Sequence, residues 1–246
     1  MDSALLIKEL EKRMSEMTAP DGVGVIPKTT PVVSFGDFTS SRIATIGINP
    51  SSNEFMTGAS LLPLGKKRLA DSEIAPANFA EIWHGCQNYF QTPNTYWKWF
   101  RPLEDLLKVI GHSYLDSACH LDLSPWATFP AFSDLSPVQQ SVLLSHDKEF
   151  LIWQIAESPI KTVLFNGRKV YETISASQNF YLQKVGEFKY TTGGRPQTSD
   201  LISGDGPKGE SIFGWTVNIQ AMQVTSDEKQ DVMEKISSWL RDNLKN

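Results

Sequence analysis

The chain has 246 residues, 40% of them hydrophobic, with 13 Phe and 7 Trp, so it can build a sizeable core and is not globally disordered. A net charge of −5 and a pI near 5.4 argue against coating nucleic acid by bulk charge, though not against a local basic patch. Two cysteines without a CxxC pair, and four scattered histidines (His84, His112, His120, His146), supply neither a disulfide framework nor a metal-ligand cluster, so no metal is expected.

The opening "MDSALLIKELEKRM" carries charges among its apolar positions and reads as an amphipathic helix over residues 1–17, peripheral to the domain, not as a signal peptide. No apolar run reaches membrane-spanning length, so a cytoplasmic protein without membrane contact is expected. A first buried strand, "RIATIGIN" (Arg42–Asn49), breaks off at Asn49-Pro50. Residues 51–91 follow as an irregular segment rich in small residues, and "YWKWFRPLEDLLKVIG" reads as a helix. A second strand, "SACHLDL" (Ser117–Leu123), leads to one long helix, "SPVQQSVLLSHDKEFLIWQIAES", with a Ser-Pro start. The third strand, "IKTVLFNG" (Ile160–Gly167), runs into the helix "RKVYETISA". The stretch "YTTGGRPQTSDLISGDGPKGES" is crowded with Gly, Pro, Ser and Asp and reads as a long surface loop. A fourth strand, "GWTVNIQA" (Gly214–Ala221), precedes a closing helix for which Ser226 is the expected N-cap.

Strands alternating with helices predict an α/β fold: one domain over 1–246, with a central, mostly parallel four-stranded sheet and helices on both faces. In such a sheet, ligands bind beyond the carboxyl ends of the strands. Each predicted strand brings a polar group to that end: Asn49, Asp122, Asn166 with Gly167, and Gln220. Any one of these alone reads equally as a turn or cap residue; four at one edge make a site.

"GINPSS" (Gly47–Ser52) resembles the first motif of the uracil-DNA glycosylase superfamily, above all its mismatch-specific branch with a Gly-Ile-Asn-Pro core. Further pieces follow in the family's order: the aromatic "NTYWKWF", the strand "HLDLSPWATFP", the strand-to-helix turn "VLFNGRKV", and "NIQAMQVTS" in the place of the His-Pro-Ser segment. The resemblance spans roughly Arg42 to Leu244, and its first motif is the most specific. It implies a three-layer uracil-DNA glycosylase-like sandwich and a monofunctional, monomeric DNA glycosylase that needs no cofactor. Such an enzyme flips a base out of DNA and hydrolyses its N-glycosidic bond.

On that resemblance Asn49 holds the nucleophilic water, Pro50 fixes the turn, and Asp122 and Gln220 act on the base. Gly47, Ile48, Phe55 and Asp122 form the base pocket, with plain core packing as the other reading of Phe55. Ser51, Ser52, Gly167, Arg168 and Thr225 approach DNA phosphates, with Lys169, Lys66, Lys67 and Arg68 as further candidates. Met222 or Gln223 is the wedge that fills the gap left by the base. Tyr96, Trp97 and Trp99 are assigned to packing of their helix.

Two positions depart from the family. Asp122 stands where many relatives read the base with an asparagine, and an ionised carboxylate can only accept hydrogen bonds. It suits an exocyclic amine, hence a cytosine-like edge, modified or damaged, as in hypermodified phage DNA. A protonated Asp122 reads uracil instead; alternatively Asp122 caps the following turn, or His120 on the same face points inward. Gln220 stands where many relatives have a histidine, and it carries no charge to stabilise a leaving anion. That departure opens the alternative of a non-catalytic nucleic-acid or nucleotide binding module on the same fold. The sequence holds no GxSxG elbow, Walker P-loop or GxGxxG run.

Overall fold

The computed structural model describes residues 2–57, 60–61, 78–222 and 224–244. In chain order the elements are α1 (Ser3–Glu16), β1 (Ile43–Gly47), the two-residue strands β2 (Met56–Thr57) and β3 (Ser60–Leu61), α2 (Phe79–Gln87) and α3 (Trp97–Val109). These are followed by β4 (Ala118–Asp122), α4 (Pro137–His146), α5 (Lys148–Glu157), β5 (Thr162–Asn166) and α6 (Arg168–Ser175). The chain continues through β6 (Tyr181–Thr192), β7 (Arg195–Asp205) and β8 (Ser211–Trp215) to α7 (Ser226–Asn243).

The main sheet has six strands in the order β4-β1-β5-β8-β7-β6, not the four expected. Three expected strands are present, each shorter than its apolar run. The fourth is shifted, with β8 at Ser211–Trp215 where Gly214–Ala221 was expected, so Gln220 lies in the turn beyond it and not at a strand end. The four form the parallel part β4-β1-β5-β8. β1 and β5 are buried almost end to end, without alternation, as befits parallel strands covered on both faces. Register assigns the faces. Leu164 of β5 pairs with Phe213 of β8, so these two point one way, while Phe165 and Gly214 point the other. Phe213 packs edge-on against Trp239 of α7, and Phe165 stacks on Tyr171 of α6. The two helices therefore lie on opposite faces. Phe100 of α3 packs on His120, which shares the α7 face through the register His120–Thr45–Leu164.

The two extra strands replace the predicted loop. β6 and β7 form an antiparallel hairpin, and β7 pairs antiparallel with β8. Gly193 and Gly194 at the tip both have positive φ, 55° and 76°, the turn that suits the twist of a two-residue hairpin. The Gly-Gly pair was thus a hairpin signal, and reading the whole segment by its Gly and Ser content hid it.

The long helix predicted from Ser136 is broken in two at Asp147, whose carboxylate accepts from Trp126 Nε1 at 2.8 Å. Ser136 and Gln139 cap α4 reciprocally, with Pro137 at the first helical position. At α7 the cap is Thr225, not Ser226: its hydroxyl accepts from Glu228 N, and the Glu228 carboxylate accepts from Thr225 N. α1, expected at the periphery, inserts fully buried Leu6 and Leu10 into the core shared with the sheet. Among the described residues no helix is long and apolar enough to cross a membrane.

Candidate functional site

β1 ends where its neighbours also end, and the chain after β4 keeps pairing beyond it: Leu123 N donates to Gly47 O and Ser124 N to Ile48 O, at 3.2 and 3.0 Å. This carries residues 125–128 across the end of β1. Asn49 meets them there, and its Nδ2 donates to Trp126 O at 3.0 Å and Thr128 Oγ1 at 3.2 Å. Both amide protons are used, which fixes the orientation of the side chain. Oδ1 accepts no bond among the described residues and is the face of Asn49 open for a water or ligand. Pro50, buried beside it, offers no backbone N–H at the turn.

One strand away, Asp122 pairs in register with Gly47, and His120 with Thr45. All four share one face. Asp122 Oδ1 lies 3.4 Å from His120 Nε2, with both side chains about 3% exposed. His120 Nδ1 is 2.7 Å from Thr45 Oγ1, which is 2.5 Å from the Tyr114 hydroxyl. Burial pushes the Tyr114 phenol well above its ordinary value, so it keeps its proton. A polar chain thus runs from the core to the strand ends.

From the other side, β5 contributes Asn166, only 3% exposed. Its Oδ1 accepts from Trp215 Nε1 and Ile219 N, and its Nδ2 donates to Asn218 Oδ1 and Gln220 Oε1. Gln220 in turn donates through Nε2 to Trp99 O at 3.1 Å. Asn166 is therefore the bracket that shapes the segment after β8.

These groups surround a cavity of about 270 Å³ at the carboxyl edge of β4-β1-β5. Gly47, Ile48, Asn49, Ser51, Ser52, Asp122 and Gln220 all line it. Ser51 also caps a short turn, its hydroxyl accepting from Asn53 N. Several predicted residues fall elsewhere. Phe55 is fully buried in the core and outside the lining, so it cannot sandwich a ligand there. Gly167 starts α6 at φ 106°, with Arg168 exposed beyond it, and neither lines the cavity. Thr225 is engaged as the helix cap, and half-buried Met222 packs on the core. Gln223, Lys66, Lys67 and Arg68 lie outside the described residues.

The aromatic rings that do line the cavity are Phe35, Trp99, Phe100 and Phe132. Trp99, assigned from sequence to helix packing, is among them because the first turn of α3 reaches the cavity rim. Sequence reading also missed Thr128, Asn218 and Glu54. Glu54 is 1% exposed, and both its carboxylate oxygens are 3.0 Å from the Tyr89 hydroxyl. Among the described residues the lining holds no lysine or arginine, whereas Asp122 and Glu54 are part of it. Asn49 Oδ1 and the Asp122 carboxylate thus offer hydrogen-bond acceptors to a donor-bearing ligand in the cavity. Among the described residues no group of three or more His, Cys, Asp or Glu could hold a metal ion. No protein-family model and no curated protein matches the chain.

Proposed function

We propose that the protein is a DNA glycosylase of the uracil-DNA glycosylase kind, hydrolysing the N-glycosidic bond of a flipped-out modified or deaminated pyrimidine. The observation that carries this reading is the meeting of Asn49, with its amide oxygen open, and Asp122 at the ends of adjacent parallel strands, around a cavity lined by aromatic rings. The volume, about 270 Å³, falls just below the roughly 300–1,000 Å³ of small-molecule pockets, a size for one base and not for a whole dinucleotide.

In this mechanism a base leaves the duplex and stacks in the cavity. Asn49 Oδ1 accepts from a water near C1′ of the sugar. Asp122 accepts from the base edge, and the bond breaks as positive charge grows on the sugar and negative charge on the base. An amide does not titrate, so Asn49 orients the water without removing its proton. The water's oxygen bonds to C1′ as the glycosidic bond breaks, its proton goes to the departing base anion, and the reaction is slower than one driven by a carboxylate there. The chemistry needs no metal or organic cofactor. Ser51 and Ser52 at the rim, with exposed Arg168 beyond it, are the candidates for backbone phosphates. On this reading the protein acts as a monomer in the cytoplasm, in base excision repair or against phage with modified DNA.

A second reading, a nucleic-acid or nucleotide binding module without catalysis, is favoured by one observation. Gln220 spends its amide on Trp99 O and Asn166, and it brings no charge to a leaving base. A base-release assay separates the two. Oligonucleotides carrying uracil, mismatched uracil or 5-substituted cytosines are incubated with the protein, and abasic sites are cleaved with alkali. The glycosylase reading expects strand breaks that disappear in Asn49→Ala and Asp122→Ala; activity surviving in both removes it. Salt-dependent DNA binding without abasic product supports the binding module.

A further inference from the structure

Building on the glycosylase reading, we infer that Tyr114, Thr45 and His120 form a one-way hydrogen-bond chain that keeps Asp122 an acceptor, so that the site takes an amino-bearing, cytosine-type base edge and rejects the carbonyl edge of uracil. His120, Thr45 and Tyr114 are positioning residues that act through Asp122.

The direction of the chain follows from counting donors and acceptors. The Tyr114 hydroxyl is 2.5 Å from Thr45 Oγ1, its one hydrogen-bond partner among the described residues, and the residue is 4% exposed. A buried phenol proton without an acceptor is costly, so Tyr114 donates to Thr45. Thr45, itself fully buried, then has a single proton left, which goes to His120 Nδ1 at 2.7 Å. With Nδ1 accepting, the ring proton sits on Nε2 and faces Asp122 Oδ1 at 3.4 Å. At that separation the contact is electrostatic and not a short hydrogen bond, and it favours a carboxylate. The opposite direction has Nδ1 donating to Thr45 and Thr45 to Tyr114, with either a protonated Asp122 donating to Nε2 or a doubly protonated ring facing the carboxylate. The Tyr114 proton would then be stranded in the core. The chain is possible only because position 47 is a glycine: a Cβ there would stand 2.5 Å from Asp122 Oδ1 and 2.8 Å from His120 Nε2.

A carboxylate held in this way repels a carbonyl oxygen and pairs with N–H groups. Asp122 accepts no hydrogen bond from the protein among the described residues, so it remains available to an exocyclic amine. A pyrimidine protonated at its ring nitrogen gains a second partner there and becomes a better leaving group.

The test compares wild type, Tyr114→Phe, Thr45→Val and Asp122→Asn in two assays: base release from 5-substituted cytosine and uracil substrates, and binding of free cytosine and uracil by calorimetry. Phe at 114 keeps the ring, which stacks on Phe90 at 4.4 Å, and removes only the hydroxyl that sets the direction. Wild type should prefer the cytosine type. Tyr114→Phe and Thr45→Val should lower that preference by roughly tenfold, and Asp122→Asn should reverse it. Thermal melting of each variant confirms that the fold is intact. An unchanged preference in folded Tyr114→Phe and Thr45→Val overturns the chain while leaving glycosylase activity standing. A shift in free-base binding with no abasic product from any substrate supports the chain and removes the glycosylase. Binding of neither base removes both.

Discussion

Gly47 and Asp122 sit side by side in adjacent parallel strands, and the missing side chain of the one is the space occupied by the carboxylate of the other. Gly47→Ala should therefore push Asp122 and His120 out of place together. Overpacking of this sort costs about 1–3 kcal/mol, and it should be accompanied by loss of base release. Thermal unfolding and the alkali-cleavage assay read the two effects. A variant with the wild-type melting temperature and full activity would contradict the tight fit.

Asn49 is held by donating twice, to Trp126 O and Thr128 Oγ1. Asn49→Ala loses both bonds, a cost of about 1–2 kcal/mol, together with any water held on Oδ1. Asn49→Asp is the more telling change. It supplies a stronger base but turns a carboxylate oxygen toward a backbone carbonyl that can only accept. Asn49→Asp should melt below Asn49→Ala at neutral pH and should not gain activity in proportion to its basicity. Differential scanning calorimetry of the two variants decides this.

Asn166 makes four hydrogen bonds, one from buried Trp215 Nε1 at the end of β8 and three that join β5 to the segment after it. Asn166→Ala should destabilise the protein by about 3 kcal/mol or more, because it strands a buried indole donor and releases Asn218 and Gln220 at once. Gln220→Ala removes only one of these bonds, together with the one to Trp99 O, and should cost about 1 kcal/mol. Urea unfolding of both variants tests the order.

Burial raises the thiol of Cys86 to about 11 and that of Cys119 to about 12. The thiolate is thus less favourable in the folded state than in the unfolded chain. The resulting stability is fully present below the unfolded value near 9 and is lost as pH rises through the folded values. The midpoint of urea unfolding should fall steadily from about pH 9 upward, with buried Tyr114 adding to the fall at still higher pH. At pH 8 neither cysteine should react with a thiol reagent until the protein unfolds.

The parallel strands were legible because burial on both faces leaves unbroken apolar runs, as in Ile43–Ile46 and Val163–Phe165. Their polar ends were legible because Asp122, the last residue of β4, and Asn49, two residues past the end of β1, break such runs. The hairpin was not. β6 alternates half-buried and exposed positions, and its register shifts between Lys184 and Gly186, so the period is blurred where it would have been read. Phe55 was misplaced because closeness in sequence to Asn49 says nothing of direction: the turn after Pro50 sends it into the core. Trp99 and Phe132 were missed for the converse reason. They reach the cavity from elements whose proximity to β1 is set by packing and not by any local pattern.

β1 also governs the order in which the molecule can be assembled. Both its neighbours, β4 and β5, come from sequence far downstream, and parallel pairing cannot begin with a tight turn. During synthesis β1 must wait for β4 on one edge and then β5 on the other, whereas the β6–β7 hairpin closes locally as soon as it exists. The cavity is walled by β1, β4, β5 and the segment after β8, so no partial chain contains it. Ligand binding should therefore appear as the last event of refolding, after the hairpin and helices have formed.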